Sequence, residues 1–202
     1  MNNLIISAAG SGKTTYIIEQ ALKRVEESIL ITTFTQQNYK ELYTRIINRV
    51  GHIPEHITLQ TWFSFVIQHG VKPYQSYLYE GEIKGLHFVS QKSGISYYNK
   101  RRGFPVYYKE NTIKHYLNKH NQIYSDKLAK FAHKVNEASG GLVVDRLSDI
   151  YSLIFIDESQ DLAGYDLLLI KEFFKSDINV ELVCDPRQTT YQTHFGDVLK
   201  KY

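Results

Sequence analysis

The sequence contains one cysteine, Cys184, and so no pair from which to close an internal disulfide. A disulfide-stapled secreted scaffold is excluded, and a reducing, cytoplasmic setting is expected. No apolar run approaches the roughly 18 to 20 residues that cross a bilayer. The longest candidates, such as residues 3–9, have the length of strands. The residues after Met1 lack the charged, apolar and small-residue succession of a secretory signal, and no membrane partner is expected. Internal repeats and low-complexity tracts are also missing, which excludes a solenoid or a disordered linker as the main architecture.

What remains has the composition of a globular chain. With 202 residues and 43% hydrophobic content it can bury a full core, as one domain or as one domain with an insertion. The net charge of +3 conceals an asymmetry. Residues 72–135 hold twelve Lys/Arg, among them Lys100, Arg101 and Arg102, against four acids, a balance of +8 that leaves −5 for the flanks. The same stretch carries nine of the sixteen tyrosines, including the pairs Tyr97-Tyr98 and Tyr107-Tyr108. Cations interleaved with rings suit a single-stranded nucleic acid, because cations neutralise phosphates while rings stack on bases. A solvated basic face over a tyrosine-rich small core accounts for the same composition.

The flanks alternate between two periodicities. Apolar runs at 3–7, 28–33 and 57–60 are expected strands, separated by helical patterns at 13–25 and 36–50, the second with Leu42, Ile46, Ile47 and Val50 on one face. Runs at 153–156 and 180–184 predict two more buried strands with a helix at 165–174 between them. This is an α/β pattern, a parallel sheet covered on both faces. From 71 to 140 the alternation is lost, and Pro73, Gly81, Gly85, Gly94 and Gly103 punctuate the chain. An inserted subdomain is expected over 71–140, mostly helical after Asn111, between the two parts of a main domain at 1–70 and 141–202. His115, His120 and His133 lie in this stretch without metal-ligand spacing, and are expected at the surface or facing nucleic acid.

Two segments carry chemistry. Ser7-Ala8-Ala9-Gly10-Ser11-Gly12-Lys13-Thr14-Thr15 follows the first expected strand and opens a helix. Glycines in that context let backbone N–H groups from Ala9 to Thr15 turn onto phosphate oxygens, with Lys13 reaching the β- and γ-phosphates and the Thr14 hydroxyl ligating Mg²⁺. The strict pattern has glycine where Ser7 stands, so this is a loosened variant in which the leading residue is merely small. The second segment is Leu153-Ile154-Phe155-Ile156-Asp157-Glu158, an apolar run ending in two carboxylates. Asp157 is expected to hold Mg²⁺ and Glu158 to polarise the attacking water. An apolar run ending in Asp-Glu is common on its own; the pairing with the Lys13 loop gives it meaning.

With Asp157-Glu158-Ser159-Gln160-Asp161 the chain resembles the UvrD/Rep-like group of superfamily 1 helicases. Ile31-Thr32-Thr33-Phe34-Thr35 is similar to the family's second motif and Gln60-Thr61-Trp62-Phe63-Ser64-Phe65 to the next. The resemblance implies single-stranded DNA contacts from Thr33, Phe34, Thr61 and Trp62; by position alone, Phe34 and Trp62 read as core. Cys184-Asp185-Pro186-Arg187-Gln188-Thr189-Thr190-Tyr191 is similar to the motif whose glutamine, here Gln188, senses the γ-phosphate, with Tyr191 as a further candidate DNA contact. The resemblance implies a RecA-like P-loop NTPase sheet, with ATP and Mg²⁺ as cofactors and single-stranded DNA as partner. It also implies that the basic segment corresponds to the family's small 1B subdomain.

The departures are as informative. Phe63 stands where the family usually has histidine, Cys184 where it has glycine, and Thr193 and His194 where it has an aromatic residue and an arginine. Only Met1 and Asn2 precede the first expected strand, so a preference for ATP over GTP is expected from the resemblance and not from an adenine-reading glutamine. The motor implied by the resemblance also needs a second RecA-like domain, in cis or in trans, to contribute arginines. Two other classes fit parts of the sequence: a P-loop nucleoside or nucleotide kinase, and a nucleotide-gated binding module in a repair or defence complex.

Overall fold

The computed structural model describes residues 2–8, 10–101, 103–185 and 187. From the N-terminus, β1 (Asn3–Ile6) leads to α1 (Lys13–Lys23) and β2 (Ile29–Thr33) to α2 (Gln36–Val50). Next, β3 (Ile57–Thr61) leads to a short α3 (Trp62–Phe65) that runs on as a π-helical turn, Val66–Val71. Four short strands follow: β4 (Gly85–His87), β5 (Ile95–Asn99), β6 (Phe104–Tyr107) and β7 (Gln122–Tyr124). The chain then forms α4 (Leu128–Ala138), α5 (Leu142–Ile150), β8 (Leu153–Ile156), α6 (Tyr165–Phe174) and β9 (Asn179–Cys184).

Five strands form one parallel sheet in the order β1-β9-β8-β2-β3. Parallel strands covered on both faces read as unbroken apolar runs, and β2 and β8 are buried at every position. The period of two along each strand then divides the core. Ile29, Ile31, Leu153 and Phe155 pack with Ile17, Ile18, Leu42 and Ile46 of α1 and α2. Leu30, Ile154 and Ile156 belong to a second cluster with Trp62, Phe131, Leu147 and Phe173, contributed by α3 to α6. The result is a three-layer mixed α/β fold. On the edge strand β1 the second layer thins out, and Leu4 and Ile6 stand 58% and 62% exposed.

Residues 71–140 are not mostly helical in their first half. There β4 pairs in parallel with β7, and β5 pairs antiparallel with β6. The aromatic residues of Ile-Ser-Tyr-Tyr-Asn and Phe-Pro-Val-Tyr favour extended pairing, and helix dominates only from Ile113 through α4. Ile83, Ile123 and Phe131 of this segment lie in the same buried cluster as Leu30 and Ile154 of the sheet. The helix α5 has no counterpart among the elements expected from sequence; Val143, Val144 and Leu147 form its buried face. His115 is buried rather than on the surface, with Nδ1 2.9 Å from the Tyr108 carbonyl, and burial pushes its imidazole below the ordinary range.

Candidate nucleotide site

All five strands of the main sheet run the same way, so their carboxyl ends share one edge, where open α/β sheets hold ligands. At that edge Ser7 N–H donates to the Cys184 carbonyl at 3.1 Å, tying the end of β1 to β9. The loop then turns into α1 through Gly10 and Gly12, at φ 75° and 89°, and a Cβ on either would meet nothing within 4 Å. Glycine is therefore required for backbone hand, not for room. Gly12 is the N-cap of α1 and no side chain caps the helix there, an arrangement that presents first-turn N–H groups to an anion. The Ser7 and Ser11 hydroxyls meet across the loop at 2.7 Å. Lys13 lies back over the loop, its Nζ 3.4 Å from the Ser7 carbonyl and 3.9 Å from Asp185 Oδ2.

Two strands away, Asp157 N–H donates to the Thr32 carbonyl at 2.8 Å and holds the end of β8 in register with β2. Glu158 then takes left-handed backbone, φ 55° and ψ 40°, uncommon for a residue with a Cβ. Its own N–H lies 3.0 Å from Asp157 Oδ1. Burial, and secondly the charge of Glu158, push the Asp157 carboxyl up to about 7 against the opposing pull of the Glu158 N–H and Lys13. Gln160 joins the two acidic strand ends: its Nε2 donates to Glu158 Oε2 and its Oε1 accepts the Asp185 N–H. Asp185 is itself buried at the end of β9 and accepts the Arg187 N–H at 3.0 Å.

The arrangement brings Lys13, Asp157, Glu158 and Asp185 together around one strand edge, with Thr14 in the first turn of α1. Hydroxyl and carboxylate oxygens are the donors Mg²⁺ prefers. Burial, and secondly the Glu158 charge, disfavour the ionised Asp157, and a bound cation would offset both, so the residues fit that ion. Thr15 is exposed, and its hydroxyl accepts from Arg45 Nη1 at 3.3 Å. Asp185 and Gln160 have no individual role in the sequence-based expectations. A carboxylate ending the apolar run of β9 was the available signal.

The expected DNA-contacting residues divide. Phe34 is half-buried, its ring 5.1 Å from that of Phe63. Trp62 is 1% exposed and its Nε1 donates to Asp166 Oδ1 at 2.7 Å, which makes it a core residue with no face open to a base. The Thr33 side chain is fully buried, and the Thr61 hydroxyl caps α3 by accepting the Ser64 N–H. Lys100 and Arg101 are exposed at the turn between β5 and β6. Ala9, Arg102, Gln188 and Tyr191 lie outside the described residues.

The fold is of mixed α/β class and consistent with a RecA-like domain. Residues 1–68, about a third of the chain, match the family described as UvrD/REP helicase N-terminal domain, and over that stretch the chain is similar to a UvrD-like helicase N-terminal region. At family level such a region goes with an ATP-dependent helicase motor. The matched residues include the Lys13 loop, Phe34 and Trp62; Asp157 and Glu158 lie beyond them. No curated protein sequence matches the chain. Among the described residues, no helix is long and apolar enough to cross a membrane, and no group of three His, Cys, Asp or Glu side chains forms a metal cluster.

Proposed function

We propose that the chain binds Mg·ATP at the carboxyl edge of its sheet and acts as the first motor domain of a UvrD-like DNA helicase, coupling hydrolysis to movement along single-stranded DNA. The observation that carries this reading is the meeting of Lys13, Asp157, Glu158 and Asp185 at neighbouring strand ends. In the reading, the N–H groups of residues 9–15 cradle the phosphates, and Lys13 leaves Asp185 to reach the β- and γ-phosphates. Thr14 and Asp157 hold Mg²⁺, which when bound neutralises charge between the phosphate oxygens. Glu158 orients the attacking water and takes its proton, held in place by Gln160. Gln188 contacts the γ-phosphate. An arginine from a second RecA-like domain, in cis or in trans, supplies a further factor of about 10³ to 10⁵. Thr33, Phe34 and Thr61 line the DNA side of the same edge, Thr33 and Thr61 through backbone rather than side chain, and Tyr191 is a further DNA contact in this reading. Residues 71–140 form a 1B-like subdomain, and the protein works in the cytoplasm.

Phosphate release with single-stranded DNA and a second RecA-like domain present tests the chemistry. Glu158→Gln should lower turnover by about 10² to 10⁴ while nucleotide affinity changes little. Turnover equal to wild type removes Glu158 from the catalytic step. The DNA side is tested by salt. For single strands, log K should fall with log salt by about 0.7 per phosphate neutralised, so replacing Lys100, Arg101 and Arg102 by Ala should reduce the slope by roughly 2. An unchanged slope returns this turn to a solvated basic face.

A further inference from the structure

Phe88 follows β4 and is 69% exposed. Its ring meets Phe63 edge-on, with centroids 5.4 Å apart and planes at 85°. Phe63 in turn leans on Phe34 at 5.1 Å. These three rings come from three separate places: the connection after β2, the helix α3 and the connection after β4. They step outward from the sheet edge, half-buried at Phe34 and Phe63 and open at Phe88. Phe63 stands where the resembled family has histidine, and here it supplies the apolar link between the other two rings.

Phe88 also lines an open recess of about 430 Å³ together with Lys92 and Tyr124. Ile95 and Tyr124 are shared with a second recess of about 550 Å³, which carries Tyr79, Tyr108, Lys114 and Lys119. Lys92 lies over the Tyr107 ring at 4.5 Å and Lys114 over Tyr108 at 5.9 Å. Two of the four acids in residues 72–135 are engaged by lysines, Asp126 by Lys127 and Glu110 by Lys130. Among the described residues, the linings of the two recesses hold Lys92, Lys114 and Lys119 and no acid, so the charge they present is positive. An apolar peptide would match the rings and not the lysines, whereas a single nucleic-acid strand matches both.

We propose that Phe88 is a base-stacking residue, taking one nucleobase of a single DNA strand on its open face and guiding the strand from the Phe34–Phe63 edge into the recesses flanking Tyr124. This rests on the single-strand reading of the chain and deepens it by placing the strand's path across residues 71–140.

The test uses the full 202-residue chain and a dye-labelled oligothymidine, read by anisotropy. Phe88→Ala should weaken binding by about ten-fold or more, the loss expected of one stacked base, with the fold intact by circular dichroism because the ring is largely exposed and packs mainly on Phe63. An oligonucleotide with abasic sites at the covered positions should bind wild type and Phe88→Ala alike. Phe88→Trp should bind like wild type, and its emission should be quenched as oligonucleotide is added, above a constant background from buried Trp62. If wild type binds the oligonucleotide but Phe88→Ala binds equally well and the Phe88→Trp emission does not change, the stacking role is overturned and the motor reading stands. If wild type binds no single strand, or prefers a blunt duplex, the DNA reading itself is overturned and this inference with it.

Discussion

Lys13→Ala should abolish nucleotide binding: a fluorescent ATP analogue that saturates wild type should bind the variant at least about 10²-fold more weakly. Each charge-assisted hydrogen bond to a phosphate oxygen contributes about 1.5 to 3 kcal/mol, and a lysine reaching both the β- and γ-phosphates makes two. The backbone N–H groups of the loop remain in the variant, but they bring no mobile charge. A second consequence follows from where Lys13 rests. Its Nζ lies 3.9 Å from Asp185, whose side chain is 3% exposed, so truncation leaves a buried carboxylate with the Arg187 N–H as a remaining donor. A loss on the order of 1 to 3 kcal/mol is expected, seen as a melting temperature lower by a few degrees with the circular dichroism spectrum intact. Equal affinities of wild type and a folded variant would remove the phosphate assignment.

The parts of this site legible in the sequence are those set by local rules. The Lys13 loop is recognisable because a strand, two glycines and a helix start must follow one another within a few residues. Asp157 is recognisable because β8 is apolar at every position and ends abruptly in charge. The roles of Gln160 and Asp185 are not legible, because they depend on β9 lying between β1 and β8. That neighbourhood joins residues more than 170 positions apart, such as Ile6 and Cys184. Trp62 shows the opposite difficulty. Its motif implies a DNA contact, yet the indole N–H finds Asp166 104 residues away and the ring closes into the core. The strands between 85 and 124 are three to five residues long, too short for alternation to separate them from turns. Phe88 has no periodic neighbours at all, and only its contact with Phe63 gives it meaning.

Asp157→Asn should move two properties in opposite directions, raising the stability of the ligand-free chain while removing Mg²⁺-dependent nucleotide binding. The Asp157 carboxyl, ordinarily at 3.8, is pushed up to about 7 by burial and by Glu158. The folded state thus holds this proton more tightly than the unfolded state. Below the unfolded value the group costs nothing; between the two values each pH unit upward costs about 1.4 kcal/mol; above about 7 the full penalty applies. Allowing for relaxation around the charge, that penalty is on the order of 2 to 4 kcal/mol. Asparagine keeps an Oδ1 for the Glu158 N–H and carries no charge. At 2 to 4 °C per kcal/mol for a chain of this size, the variant should melt about 5 to 10 °C above wild type at pH 8, and by less than half that margin at pH 5. Scanning fluorimetry at both pH values without nucleotide or Mg²⁺ measures this; a variant that melts lower, or by a margin independent of pH, refutes it. With Mg·ATP added, the order should reverse or close, because only wild type gains the stabilisation that a bound ligand confers.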